Sequence, residues 1–279
     1  MKLKRSLLTL GLVLPLLAVA TGPADAHRRW LLPSATVLAG DTETVTVDAA
    51  SSNGLFYFEH NAGRLDDLTI AGPDGRPVEA AIIGSGRYRS VFDVPLKQQG
   101  TYRIALASEG MFGSYMLNGE RKRFRGSAET AKTDIPEGAT EVRLTPVASR
   151  VETFVTLGAP NETALAPTGK GLEMIPVTHP NDLVTGEQAQ MRFLVDGKPA
   201  AGLEIEFVKG DTRYRDDAGI TKLTTDEHGV ASLMANEPGM YYLEASTGGR
   251  GRPGGMNEAE GDTPARRASY TAVLEFLPG

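Results

Sequence analysis

The sequence predicts an all-β protein: two β-sandwich domains, immunoglobulin-like or transthyretin-like, behind a cleaved signal peptide. Three observations carry that expectation. Short runs alternate apolar and polar residues with a period of two, most cleanly at 100–106 and 239–245. Turn clusters such as Ala71-Gly72-Pro73-Asp74-Gly75 and Asp196-Gly197-Lys198-Pro199 separate them. No stretch has the 3.6-residue periodicity of a long amphipathic helix. Strands of this length between turns suggest antiparallel sandwiches.

In chain order, Lys2, Lys4 and Arg5 open the sequence, 6–20 is apolar, and 21–26 is small and polar, ending in Ala24-Asp25-Ala26. This is the three-part layout of a signal peptide cut after Ala26, and it places the mature chain in the periplasm. The rival reading is a retained membrane anchor; Pro15 and the A-x-A pattern favour removal. Strands are expected at 42–47, 55–60, 65–70, 86–94 and 100–106. In the second of these, the period of two puts Phe56, Phe58 and His60 on one face. In the last, Tyr102, Ile104 and Leu106 point inward. The segment 108–140 reads as a loop punctuated by Gly110, Gly113 and Gly119. It carries Met111, Met116, the basic run 121–125 and a helical turn near 127–132. Strands at 141–147 and 152–157 complete a first domain, 27–159.

Residues 160–171 read as a linker, with Pro160, Pro167, Gly169 and Gly171. The second domain, 172–279, has expected strands at 172–177, 188–195, 203–208, 220–225, 230–234, 239–245 and 269–276. The Gly-rich stretch 247–267 reads as a long loop.

Composition narrows the function. The net charge is −6, and removing the lysine-bearing leader makes the remainder more acidic still. Such a chain is a poor nucleic-acid partner, because phosphate contacts need clustered Lys and Arg. Cysteine is absent, so the fold holds without disulfides and any metal site lacks thiolates. No nucleophile elbow, phosphate-binding loop, dinucleotide fingerprint or His-Glu-x-x-His motif occurs, and no enzyme activity is expected.

The four histidines are His27, His60, His179 and His228. Cleavage after Ala26 makes His27 the first mature residue. Its α-amine and Nδ1 can then close a chelate ring on one ion. The α-amine, with an ordinary pKa of about 7.7–8.0, gives up its proton readily to a competing metal. With His60 this makes three nitrogens from two residues, a set that suits Cu(II) or Ni(II). The competing readings are a frayed terminal residue for His27 and a half-buried structural histidine beside Phe56 and Phe58 for His60. Arg28 and Arg29 would repel a cation modestly. His179 precedes Pro180 and is expected in extended backbone near the junction of the two halves; His228 falls in a turn. Met111 and Met116 offer thioethers to Cu(I), or simply fill core gaps.

Five segments together carry a family likeness: His27-Arg28-Arg29-Trp30-Leu31-Leu32-Pro33, Leu55-Phe56-Tyr57-Phe58-Glu59-His60, the run from Gly171 through His179-Pro180 to Leu183, Thr224-Thr225-Asp226-Glu227-His228-Gly229, and Gly239-Met240-Tyr241. They resemble the DUF4198 proteins, known as periplasmic components of cobalt or nickel uptake systems. The resemblance implies two β-sandwiches, an exported location and a nickel or cobalt ion as ligand, to which the three-nitrogen donor set adds copper. It implies a membrane metal transporter, inner or outer, as partner. Nickel-transport members pair a near-terminal His with a second His from the body, but place the first one residue further in. Two other functions fit the same residues. A copper-brace oxidative enzyme, similar to polysaccharide monooxygenases, also uses a terminal His and a second His on a β-sandwich. A non-catalytic structural or adhesion module would need no metal at all.

Overall fold

The computed structural model describes residues 27–247 and 267–279. The expected signal peptide and most of the 247–267 loop therefore lie outside the described residues. The first half contains β1 (Arg28–Pro33), β2 (Val37–Leu38), β3 (Glu43–Ser52), β4 (Asn61–Ala62), β5 (Leu68–Ala71), β6 (Ala81–Ser85) and β7 (Ser90–Leu96). Two long strands follow, β8 (Gly100–Leu117) and β10 (Thr140–Leu157), with β9 (Glu120–Gly126) and the short helix α1 (Ala128–Asp134) between them. The second half adds β11 (Leu172–Pro176), β12 (Gln188–Val195), β13 (Lys198–Pro199) and β14 (Glu204–Lys209). It ends with β15 (Thr221–Thr224), β16 (Val230–Met234), β17 (Gly239–Ser246) and β18 (Arg267–Phe276).

Among the described residues these strands form three sheets, and the protein is all-β as expected. A five-stranded sheet runs β1-β3-β7-β6, with β4 also on β3. A nine-stranded sheet runs β15-β14-β17-β18-β10-β8-β5, with β2 and β9 on β10 and β8. A four-stranded sheet joins β11, β12, β13 and β16. The largest sheet is the middle layer. On β10, alternate side chains face opposite ways. Val151 and Val155 enter an apolar cluster with Leu31, Val47 and Phe92 from the five-stranded sheet. Phe154 enters another with Phe193 and Leu233 from the four-stranded sheet and Tyr270 from β18. A third cluster gathers Trp30, Leu55, Val208, Tyr242 and Val273.

Parallel pairing of β10 with β18, from Val147↔Arg267 to Thr153↔Val273, makes the middle sheet continuous across both halves. Residues 160–171 are packed against it. They include a 3-10 turn, Thr163–Leu165, in which Ala164 and Leu165 are buried. Asn161 accepts from the Thr101 amide at 3.0 Å and donates to the Pro73 carbonyl at 2.8 Å. Among the described residues no helix is long and apolar enough to cross a membrane.

Three local expectations are corrected. Segment 108–140 is largely strand, because its glycines allow close strand approach instead of breaking the ladder. A Cβ on Gly113 would lie 1.9 Å from the Arg143 carbonyl oxygen, and one on Gly110 would lie 2.9 Å from that of Gly126. The strands expected at 141–147 and 152–157 are accordingly one strand, β10. Residues 55–60 form turns, not a strand. Phe56 has φ 63°, and Leu55, Phe56 and Phe58 all gather in the Trp30 cluster, which strict alternation would forbid.

Candidate metal centre

The site forms at the end of β3. Strand β1 pairs with β3 so that Arg28 lies opposite Ser52. Strand β4 pairs with the same end, Asn61 opposite Ser51. His27 precedes β1 and His60 precedes β4, so the two histidines flank one strand terminus although they are 33 positions apart in sequence. Their ring centroids are 3.4 Å apart, with the planes tilted by 35°. His27 is exposed and His60 half-buried. His27 Nδ1 lies 2.7 Å from Asn53 Oδ1.

The loop that delivers His60 is held from several sides. The buried Ser52 hydroxyl accepts from Trp30 Nε1 at 3.1 Å and donates to the Gly54 carbonyl at 2.6 Å. The Gly54 amide donates to Glu59 Oε1 at 2.7 Å, and the Leu55 amide to Thr212 Oγ1 at 3.2 Å. Trp30 meets Phe56 edge-on at 5.6 Å and Phe58 at 5.4 Å. Gly210 lets Phe56 in, since a Cβ there would come within 2.6 Å of that ring. Arg89 lies over Phe58 at 4.6 Å and reaches Asp48 at 3.5 Å. Burial raises the Asp48 carboxyl above its ordinary pKa, and Arg89 opposes that rise.

Cation repulsion near His27 is moderated. Arg28 reaches Glu206 at 3.6 Å and lies 5.9 Å from the centre of the Tyr242 ring. Arg29 turns to Ser149 on the middle sheet. Glu59 is engaged by the Gly54 amide. Among the described residues no group of three or more His, Cys, Asp or Glu side chains converges as a metal cluster. An ion held by the pair His27–His60 would need a further donor from the main chain or from solvent.

The other candidates lie elsewhere. His179 Nε2 is 2.9 Å from Thr101 Oγ1, and its Nδ1 accepts from the Asn181 amide at 3.2 Å. It sits where the two halves meet, as expected, in a polar network with Thr156. His228 occupies a turn, with Nε2 3.6 Å from Glu227. Met111 and Met116 sit five positions apart on β8 and so point to opposite faces of the sheet. They do not form a thioether pair. Sequence reasoning missed Asn53; the Asn53-Gly54 dipeptide is a turn signal that could have flagged it.

The family described as "Domain of unknown function (DUF4198)" matches residues 24–249. No curated protein matches the chain. The D0-D1 domain of Intimin is 12% identical, with 88% of this chain and 97% of that chain covered and a TM-score of 0.21. The D00-D0 domain of Intimin is 9% identical, covering 90% and 100%, with a TM-score of 0.20. The Bacillus anthracis TIE protein is 12% identical, covering 93% of this chain and 40% of that one, with a TM-score of 0.19. Scores this low carry no argument about function.

Proposed function

Since this chain belongs to the DUF4198 family, whose description names no activity, we propose from its own residues that it is a periplasmic carrier of a divalent transition metal. Nickel, cobalt or copper is the cargo, held by His27 and His60 and handed to a membrane transporter in uptake or homeostasis. The observation that supports this reading is the 3.4 Å approach of the two imidazoles at one strand end. Imidazole is the commonest metal donor, and the two rings meet at one exposed strand end where an ion can reach both. Two side chains are too few for a closed site. Cleavage after Ala26 supplies the remaining donor, the α-amine of His27, on the same residue as one of the rings. The nitrogen-rich, thiolate-free set suits Ni(II) or Cu(II) in tetragonal geometry, with water completing it.

Titration of the processed protein with Ni(II), Co(II) and Cu(II) tests this. One ion per chain is expected, with affinity reduced about 100-fold or more in His27→Ala and in His60→Ala, since each loses a direct ligand. Stoichiometric binding that survives both substitutions would reject the site.

A further inference from the structure

Beyond residue 110, among the described residues, the middle sheet narrows to three strands, β9-β8-β10. Past Gly110 the described part of β8 is flanked only by β9 and β10, since β5 ends its pairing at Leu106 and the described part of β18 starts opposite Val147. Residues 111–117 thus form an arm of about 23 Å at 3.3 Å per residue. Its two faces differ. On one, Phe124 is buried, and the turn after α1 comes close, with Gly138 beside Leu117. α1 follows at once and contacts both β8 and β9.

The opposite face is set by register. Arg125, Phe112 and Thr145 lie side by side across the three strands. In the next row are Arg123, Ser114 and Arg143, and in the next Arg121, Met116 and Thr140. Four arginines therefore share one face, three of them about 7 Å apart along β9 and Arg143 two strands, about 10 Å, across from Arg123. Phe112 stands among them with 48% of its surface exposed. Arg121 is partly offset by Glu141 at 2.8 Å. Toward the body the same face continues to Arg29, whose guanidinium is held below its ordinary pKa chiefly by burial and also by repulsion from Arg125. All this sits on a chain whose net charge is −6.

We propose that this arm docks on the surface of an anionic phospholipid bilayer, with Arg121, Arg123, Arg125 and Arg143 among the headgroups and Phe112 inserted at the acyl boundary. Charge complementarity selects the partner's sign. The apolar ring at the centre selects a bilayer, because a flat basic face with a half-exposed aromatic matches an interface that is charged outside and greasy beneath. The inference uses residues separate from the histidine pair and stands whether or not metal binds there.

Flotation of the processed protein with vesicles tests it. Vesicles of phosphatidylcholine alone are compared with vesicles of phosphatidylcholine and phosphatidylglycerol in equal parts. Binding to the anionic vesicles alone is expected, falling as salt is raised from about 50 to about 500 mM. Arg123→Glu/Arg125→Glu should weaken partitioning at least about 25-fold, roughly fivefold for each arginine, with the melting temperature retained. Phe112→Ser should weaken it about tenfold with the salt dependence kept. The control Arg64→Glu/Arg76→Glu makes the same charge change at exposed positions off the arm and should leave partitioning within about twofold. Equal binding to both vesicle types, an unaffected arm variant, or an equal loss in the control would overturn the proposal. So would capture of duplex DNA by a protein that ignores the anionic vesicles.

Discussion

His27 Nδ1 lies 2.7 Å from the side-chain oxygen of Asn53, the same nitrogen that a terminal chelate would use. Loading through that chelate requires the ring to leave Asn53. Asn53→Ala removes the competitor, worth about 1 kcal/mol for an ordinary hydrogen bond. Metal affinity of the processed protein should therefore rise about fivefold, measured by competition with a chromophoric chelator. A fall in affinity would instead assign coordination to Nε2, with Asn53 holding the ring in place.

Glu152 is a stability determinant at the junction of the two halves. It is 2% exposed, reaches Arg150 at 3.0 Å and Arg103 at 4.0 Å, and accepts from Tyr270 at 2.8 Å. Burial and the neighbouring carboxylate raise the Tyr270 phenol well above its ordinary pKa, which keeps it a donor. Removing one partner of a buried ion pair leaves the other uncompensated. Glu152→Ala should cost about 3–5 kcal/mol in urea unfolding. Tyr270→Phe, which deletes one hydrogen bond to a charged group, should cost about 2 kcal/mol.

His179 makes stability fall in mild acid. Burial lowers its pKa, against the Asn161 backbone and the charges of Asp182 and Glu162. Nδ1 accepts from Asn181, so Nε2–H donates to Thr101 and the folded ring is neutral. Below an unfolded-state value of about 6.5 the unfolded chain takes up a proton that the folded chain refuses. The unfolding free energy should therefore decline as pH drops from about 6.5 toward the lowered folded value, and level off below it. His179→Gln should flatten that part of the profile in pH-dependent thermal melts.

Much of this architecture was legible in the chain. The alternations at 188–195 and 230–234 mark β12 and β16 residue for residue, since strands with one buried face carry their period openly. The arm was not legible. Gly110 and Gly113 look like loop punctuation, and only the opposing carbonyls show why no side chain fits there. The loop 55–60 misled for the converse reason: its aromatics alternate like a strand's, while Phe56 adopts φ 63° to pack against Trp30 and Gly210. The nearness of His27 to His60 comes from long-range pairing of β1 and β4 with β3, and no local pattern encodes it.

The central claim is that the amine of His27 and the imidazoles of His27 and His60 hold one metal ion. The most direct measurement compares metal titrations of the chain beginning at His27 with those of a chain carrying one added alanine before it. The extension converts the amine to an amide and leaves both rings in place. A fall in affinity of about 100-fold or more is predicted, as for loss of a direct ligand. Equal affinity in the two forms would contradict the account.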